Sequence, residues 1–435
     1  MNDIDLSPIL AEVIDATTKG YPLAAAPLPL AAIGAQGWSL LDGDLPLPLA
    51  VIRDSALAHN HAWMRDFTAA TGVLLAPHGK TTMAPQIFAQ QLAAGAWGMT
   101  VANVQQLGIC ASVGVRRILM ANQLLGALEV RAVVGLLRRH PDLEFHFLID
   151  SPAQLAAIEA AAASDPPPHK LTALIELGVP GGRAGARSHD GALALARAIG
   201  ASRIVALSGL ECYEGLQISG DAAQDARTVG ALMQRVRELA IACDREDLFA
   251  GPEVILTAGG SAAFDIVARE LPMRLSRPVL TILRSGCYVT HDSGNYERLL
   301  AGVQARSGGE WQTRPGLRPA LEVWSRVQSC PEPGLAILTM GKRDASYDIE
   351  MPIALKRFRA ASGTTPQPVP AGWAITGMND QHAYLRWGDG EADPPQVGDL
   401  IGCGISHPCT TFDKWRVLFT VDDAYRVTGA IRTYF

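Results

Sequence analysis

The chain has no apolar run approaching the length of a membrane span, so nothing in it reads as an integral helical membrane protein. It has no basic run and no basic stretch interleaved with aromatics, and nucleic acid is not an expected partner. Cysteine is sparse. The 7 cysteines are an odd number, scattered through 435 residues without framework spacing. That argues against a disulfide scaffold and for reduced thiols in a cytoplasmic protein. The first residues, Met1-Asn-Asp-Ile-Asp-Leu, lack the charged-then-apolar layout of a secretory signal. No internal repeat and no long low-complexity tract is present.

What remains is a globular chain of mixed charge, −6 overall, with a hydrophobic fraction of 48% that supports a large packed core. Its length fits one large domain and a smaller one. From about residue 49 to about residue 288, short apolar segments alternate with alanine-rich stretches of helical spacing. The strand candidates are 49–53, 73–77, 98–102, 117–121, 144–149, 171–176, 205–212, 254–257 and 279–283. Ser151-Pro152 is a helix start, because serine caps and proline suits the first turn. So many consecutive strand–helix units imply a parallel sheet, and their count suits a closed (β/α)8 barrel of the TIM type. After about residue 294 the pattern changes to short alternating runs split by glycine and proline, the mark of an antiparallel β domain. The expected fold is therefore α/β, with a (β/α)8 barrel over 40–300 and a C-terminal antiparallel β domain built from 1–39 and 301–435.

In such a barrel, chemistry gathers where strands end and loops begin. Lys80 stands at the end of the apolar run 72–81, at the mouth of a core. A neighbouring apolar wall there would favour the neutral amine, a nucleophile toward aldehydes. Thr257-Ala-Gly-Gly-Ser261 follows one strand and precedes a helical stretch, a setting in which backbone N–H groups can approach a phosphate. Ser285-Gly-Cys-Tyr288, after the next strand, could add donors to the same anion. The glycine-rich loop from Glu176 to Gly185 presents Arg183, whose planar fork can lie against a planar ligand. Near the C-terminus, His407-Pro-Cys409 places imidazole and thiol two residues apart, on one side of a strand-like stretch, a donor pair suited to Zn²⁺. Asn379-Asp-Gln-His382 forms a second polar cluster, and we count His382 as a candidate catalytic residue at a substrate mouth. Each motif alone has a plainer reading as a turn, a solvated arginine or a satisfied core histidine.

Taken in order, the motifs Pro77-His-Gly-Lys-Thr81, Ile118-Leu-Met-Ala-Asn122, Gly182-Arg-Ala-Gly185, Tyr213-Glu-Gly215, Gly259-Gly-Ser261, Gly286-Cys-Tyr288 and His407-Pro-Cys409 resemble the D-serine dehydratase-like and D-threonine aldolase family of fold-type III, alanine racemase-like pyridoxal-phosphate enzymes. Departures exist: leucine follows Gly215 where relatives often carry histidine, and Gln381 stands where an acid usually precedes the histidine. The resemblance implies a pyridoxal 5'-phosphate cofactor with Lys80 as the Schiff-base lysine. It implies Arg183 at the phenolic oxygen, Tyr213 beside the ring and Arg284 at the ring nitrogen. The phosphate would be held by Gly259, Gly260, Ser261, Gly286, Cys287 and Tyr288. His407 and Cys409 would be zinc ligands. Aldolase relatives carry aspartate as the second ligand and dehydratase relatives cysteine, so the expected activity is dehydration of a D-3-hydroxyamino acid such as D-serine or D-threonine. Aldol cleavage and racemisation are the alternatives, and a homodimer is expected.

Overall fold

The computed structural model describes residues 4–435. Eight parallel strands follow one another as Leu74–Leu75, Met99–Val101, Arg117–Gln123, Glu144–Ile149, Leu171–Leu177, Val205–Cys212, Val254–Ala258 and Val279–Leu283. From Met99–Val101 onward each pairs with the next, and the last pairs with the first through Ile282 opposite Leu74 and Leu283 opposite Leu75. The remaining seam closes because the chain stays extended beyond Leu75. Trp97 N–H donates to Leu75 O at 2.7 Å, Thr100 N–H donates to Pro77 O at 2.9 Å, and His78 bridges Thr100. The sheet is thus a barrel. Ala76, Leu119, Leu148, Leu174, Ile255 and Ile282 fill its interior as a small apolar cluster. A far larger core lies between the strands, the surrounding helices and the β domain.

Helix starts follow the sequence signals. Ser151 accepts from Gln154 N–H ahead of helix Pro152–Ala162, with proline in the first turn. Asn103 does the same for Val104–Ser112. Among the described residues, no helix is long and apolar enough to cross a membrane.

The first strand candidate, Leu49–Arg53, is not a barrel strand. It pairs antiparallel with Leu321–Glu332 and parallel with Val417–Val421, inside the sheet of the β domain. Four of its five residues are buried, so its unbroken apolar run reads like a doubly covered barrel strand although its neighbours are different. The C-terminal strands form the expected antiparallel sheet, with Leu321–Glu332 flanked by Leu335–Leu338 and Leu400–Gly404. The N-terminal segment hydrogen-bonds to this domain through Leu40 N–H to Tyr425 O and Val427 N–H to Trp38 O, and reaches the barrel through Asp5 N–H to Val113 O.

Candidate active site

A cavity of about 410 Å³ opens at the C-terminal ends of the barrel strands. It gathers Lys80, Arg183, Tyr213, Gly260, Ser261, Arg284, Gly286, Cys287, His407 and Cys409 on one surface. Lys80 sits in the 3-10 turn Gly79–Thr81 that ends the first barrel strand's extended run. It is exposed to the cavity, and its neighbours there are polar rather than the apolar wall expected. His78, beside it, is held far below the ordinary imidazole range, first by burial and then by the charges of Lys80, Arg284 and Arg183. His78 therefore faces the cavity neutral.

The cavity floor is a buried ion pair. Arg284 donates to Glu211, to Cys212 O at 3.0 Å and to Thr257 Oγ1 at 2.9 Å. Burial pushes the Glu211 carboxyl up to about 8, against the pull of Arg284. Arg183 lies over the Tyr213 ring, 5.1 Å from its centroid. Its long glycine loop is folded back on itself. Arg187 donates to the carbonyls of Ala184, Gly185, Gly182 and Arg183 at 2.6–3.0 Å, and Asp150 accepts from Gly185 N–H at 3.0 Å.

The two glycine turns meet behind Lys80. Ser285 Oγ donates to Gly259 O and Gly260 O at 3.0 and 3.1 Å. Gly286 packs so close that a Cβ there would stand 2.6 Å from His78 O and from Thr81 Oγ1. The Gly259 and Gly260 N–H groups donate to the Glu214 carboxylate, at 3.1 and 2.6 Å. The N–H groups of Ser261 and Gly286 have no acceptor among the described residues. Both are amides open to an anion in the cavity.

His407 and Cys409 do not lie on a strand. His407 is the N-cap of the short helix Pro408–Phe412, and Cys409 is in its first turn. Both still face the cavity. His407 Nδ1 is 2.6 Å from Asp348 Oδ2, and Thr410 Oγ1 donates to Asp348 Oδ1 at 2.7 Å. Burial raises the Asp348 carboxyl, but these two partners outweigh it and hold it below its ordinary value. Cys287 Sγ lies 3.6 Å from Cys409 Sγ. The contact with Cys409 draws the Cys287 thiol below its ordinary value, against burial. The same contact, with burial, holds the Cys409 proton well above a thiol's ordinary value. Among the described residues, no three His, Cys, Asp or Glu side chains are grouped so as to hold a metal ion.

Three of the expected site residues lie off the cavity. Gly259 sits one residue behind the surface, at φ +92°, with its N–H turned to Glu214. Tyr288 is buried, accepting from Gln91 Nε2 at 3.3 Å and packing edge-on against His61. In the tight turn Cys287–Val289, adjacent side chains diverge, so Cys287 facing inward sends Tyr288 into the core. His382 is exposed in the hairpin turn between Ala374–Met378 and Ala383–Arg386, away from the cavity. Conversely, Glu211, Glu214, Tyr296, Asp348 and Ile349 belong to the site or its support although none was named as a site residue from the sequence. Only Glu211 and Glu214 had a signal, as carboxylates beside Tyr213 at a strand end.

The donor set fits pyridoxal phosphate. It offers an amine, two arginines, free amides at a pair of glycine turns, and orphaned buried atoms, His78 Nδ1 and Glu211 Oε2, that lack partners among the described residues.

Comparison with known proteins agrees. The family model "Alanine racemase, N-terminal domain" matches residues 52–289, more than half of the chain. The chain belongs to that family. The model "Putative serine dehydratase domain" matches residues 320–421, and together the two place the chain in the D-serine dehydratase-like and D-threonine aldolase group of fold-type III proteins. D-threonine aldolase of Arthrobacter sp is 27% identical over 361 residues, 81% of this chain and 82% of that protein. D-threo-3-hydroxyaspartate dehydratase of Delftia sp. (strain HT23) is 26% identical over 404 residues, 90% of this chain and 97% of that protein. Among solved structures, D-threonine aldolase from Filomicrobium marinum superposes with a TM-score of 0.73 at 22% identity, covering 91% of this chain and 97% of its own. A D-threo-3-hydroxyaspartate dehydratase variant in a metal-free form gives 0.69 at 24% identity, covering 91% and 99%. The family thus shares the barrel and β domain described above.

Proposed function

We propose that this lyase of the alanine racemase-like family is a pyridoxal-phosphate- and zinc-dependent dehydratase. It would convert a D-3-hydroxyamino acid, D-serine or D-threonine, to a 2-oxo acid and ammonia. The observation that carries the reading is that the Lys80 amine and the imidazole–thiol pair His407 and Cys409 line one cavity. An α-proton and a β-hydroxyl on one small substrate could each meet its own group there.

Lys80 would anchor the cofactor's aldehyde, and Arg183, Tyr213 and Arg284 would surround its ring. The phosphate would draw on Ser261 and Gly286, with Cys287 beside them. When bound, pyridoxal phosphate supplies the electron sink for charge left on the substrate's α-carbon. Zinc on His407 and Cys409 would supply a Lewis acid for the departing hydroxyl. The chain's own contribution is placement and proton handling. Lys80 Nζ takes the α-proton as general base. Arg284, fixed by Glu211 and Thr257, keeps positive charge at the cavity floor. Neutral His78 adds a polar wall without competing charge. The reading also includes a cytoplasmic homodimer, in keeping with seven free thiols.

Product identification on a panel of D-amino acids, with and without a chelator, tests this. D-serine or D-threonine should yield a 2-oxo acid and ammonia, and chelation should abolish the product while the cofactor's colour persists. Glycine and acetaldehyde from D-threonine would make the chain an aldolase. Interconversion of D- and L-alanine would make it a racemase.

A further inference from the structure

Among the described residues, the cavity has one large aliphatic side chain on its wall, Ile349; the other aliphatic lining is Ala102 and Ala121. Ile349 is 43% exposed. A lone isoleucine on a protein surface needs no explanation. This one differs because the backbone on each side of it is tied to the segment that bears the imidazole–thiol pair. Asp348, before it, is held by His407 Nδ1 at 2.6 Å and by the Thr410 hydroxyl at 2.7 Å. Glu350, after it, is held by Ser406: the Glu350 N–H donates to Ser406 Oγ at 3.3 Å, and that hydroxyl donates to Glu350 O at 2.7 Å. Ser346 accepts from His407 N–H at 3.2 Å and closes the same contact. The isoleucine is therefore a fixed apolar surface beside His407 and Cys409.

The charge around Ile349 is wrong for an acidic side chain. Asp348 and Glu350 flank it. Glu350 occupies the Arg298 guanidinium at 3.1 and 2.6 Å, so that cation is already paired. Lys342 and Lys414 lie over the Tyr347 ring, 5.2 and 5.8 Å from its centroid, and do not line the cavity. The cavity's own arginines are also engaged, Arg284 with Glu211 and Arg183 over Tyr213. A methyl group laid on Ile349 leaves water for an apolar contact, whereas a carboxylate laid there loses water and gains no cation. We propose that Ile349 sets side-chain specificity. With the β-oxygen directed to His407 and Cys409, the other substituent on the β-carbon packs against Ile349. The site then selects D-3-hydroxyamino acids that carry a methyl or longer aliphatic group there over those that carry hydrogen or a second carboxylate. The inference rests on the proposed function and narrows its substrate, placing D-threonine above D-serine and D-3-hydroxyaspartate last.

Equilibrium binding to the holoenzyme, measured by calorimetry with homologues that lack the β-hydroxyl, tests this without turnover. D-alanine, D-2-aminobutyrate and D-aspartate place hydrogen, methyl and carboxylate on the β-carbon. Wild type should bind D-2-aminobutyrate about tenfold more tightly than D-alanine, the low end of what one methyl group earns in an apolar pocket, and D-aspartate most weakly. Ile349→Ala should cut the methyl preference to about twofold or less while D-alanine binding holds, and Ile349→Leu should keep it. Ile349→Arg should lift D-aspartate above D-2-aminobutyrate. The ratio of kcat/KM for D-threonine to that for D-serine should fall in Ile349→Ala alongside the binding ratio. Equal wild-type affinity for the three homologues, or a methyl preference that survives Ile349→Ala, would overturn the proposal. Glycine and acetaldehyde from D-threonine, with the binding preference intact, would overturn the dehydratase reading and leave this one standing. Chelator-sensitive 2-oxo acid production by a protein that binds D-aspartate as well as D-2-aminobutyrate would do the reverse.

Discussion

The Glu214 carboxylate lies 2.6 Å from the Gly260 nitrogen, and its other oxygen takes the Gly259 N–H. A fully buried acid thus fixes the turn that carries Ser261 into the cavity. Replacing Glu214 by glutamine leaves one oxygen to accept and turns an NH₂ toward the second N–H. One buried donor is then unsatisfied, a cost of about 1–3 kcal/mol. Glu214→Gln should lower the thermal midpoint and loosen cofactor retention on dialysis. Unchanged melting and retention would show that the turn holds itself.

Asp348 is the partner of His407 Nδ1, and it is half exposed, so its value lies in aiming the ring rather than in stability. Asp348→Asn should weaken zinc retention by about 10–100-fold against a chelator. Borohydride labelling of Lys80 in the presence of pyridoxal phosphate should be unchanged, because Asp348 does not line the cavity around the amine. Equal zinc affinity in the variant would remove Asp348 from any role at the metal.

Much of this is legible in the sequence, and the reasons are physical. Barrel strands buried on both faces show as unbroken apolar runs, and Lys80, Arg183, Ser261 and Gly286 stand where such runs end. The same signal misplaces Leu49–Arg53, since a central strand of the β domain is buried just as fully. Which way a side chain leaves a tight turn is not encoded in a motif, so Cys287 and Tyr288 exchange importance. Glu214 and Asp348 reach the site across about 45 and 59 residues of chain, respectively, from the groups they hold. No local pattern announces contacts of that span.

Arg187 folds the glycine loop back by donating to four of its carbonyls, within a loop that carries Arg183 over Tyr213. Lysine has one ammonium and cannot span the same set. Arg187→Lys should leave the global melt nearly unchanged, because the loop is exposed, yet make it open more often. Limited proteolysis with a non-specific protease should cut within 178–187 faster than in wild type. Equal cleavage rates would show that Asp150 and the Leu177–Ala186 bridge suffice.

At the opposite end of the barrel, His146 sits in a separate cavity of about 690 Å³, with Nδ1 2.9 Å from Ser208 Oγ. Ser208 donates its own proton to Ala173 O, so it accepts from the ring, which fixes a neutral Nδ1–H tautomer. Burial holds this imidazole down at about 4. Above the ordinary histidine value of about 6.5, the ring is neutral in both folded and unfolded chains and nothing is lost. As pH falls from about 6.5 toward 4, the unfolded chain takes up a proton that the folded one refuses, so stability declines; below about 4 the deficit is constant. Discounted for its partial opening to solvent, the loss should be about 1–3 kcal/mol. Thermal midpoints between pH 7 and pH 4.5 should therefore fall more steeply for wild type than for His146→Gln, which does not titrate. Parallel pH profiles for the two proteins would mean that the ring protonates in place, with the cavity admitting the water needed to solvate it.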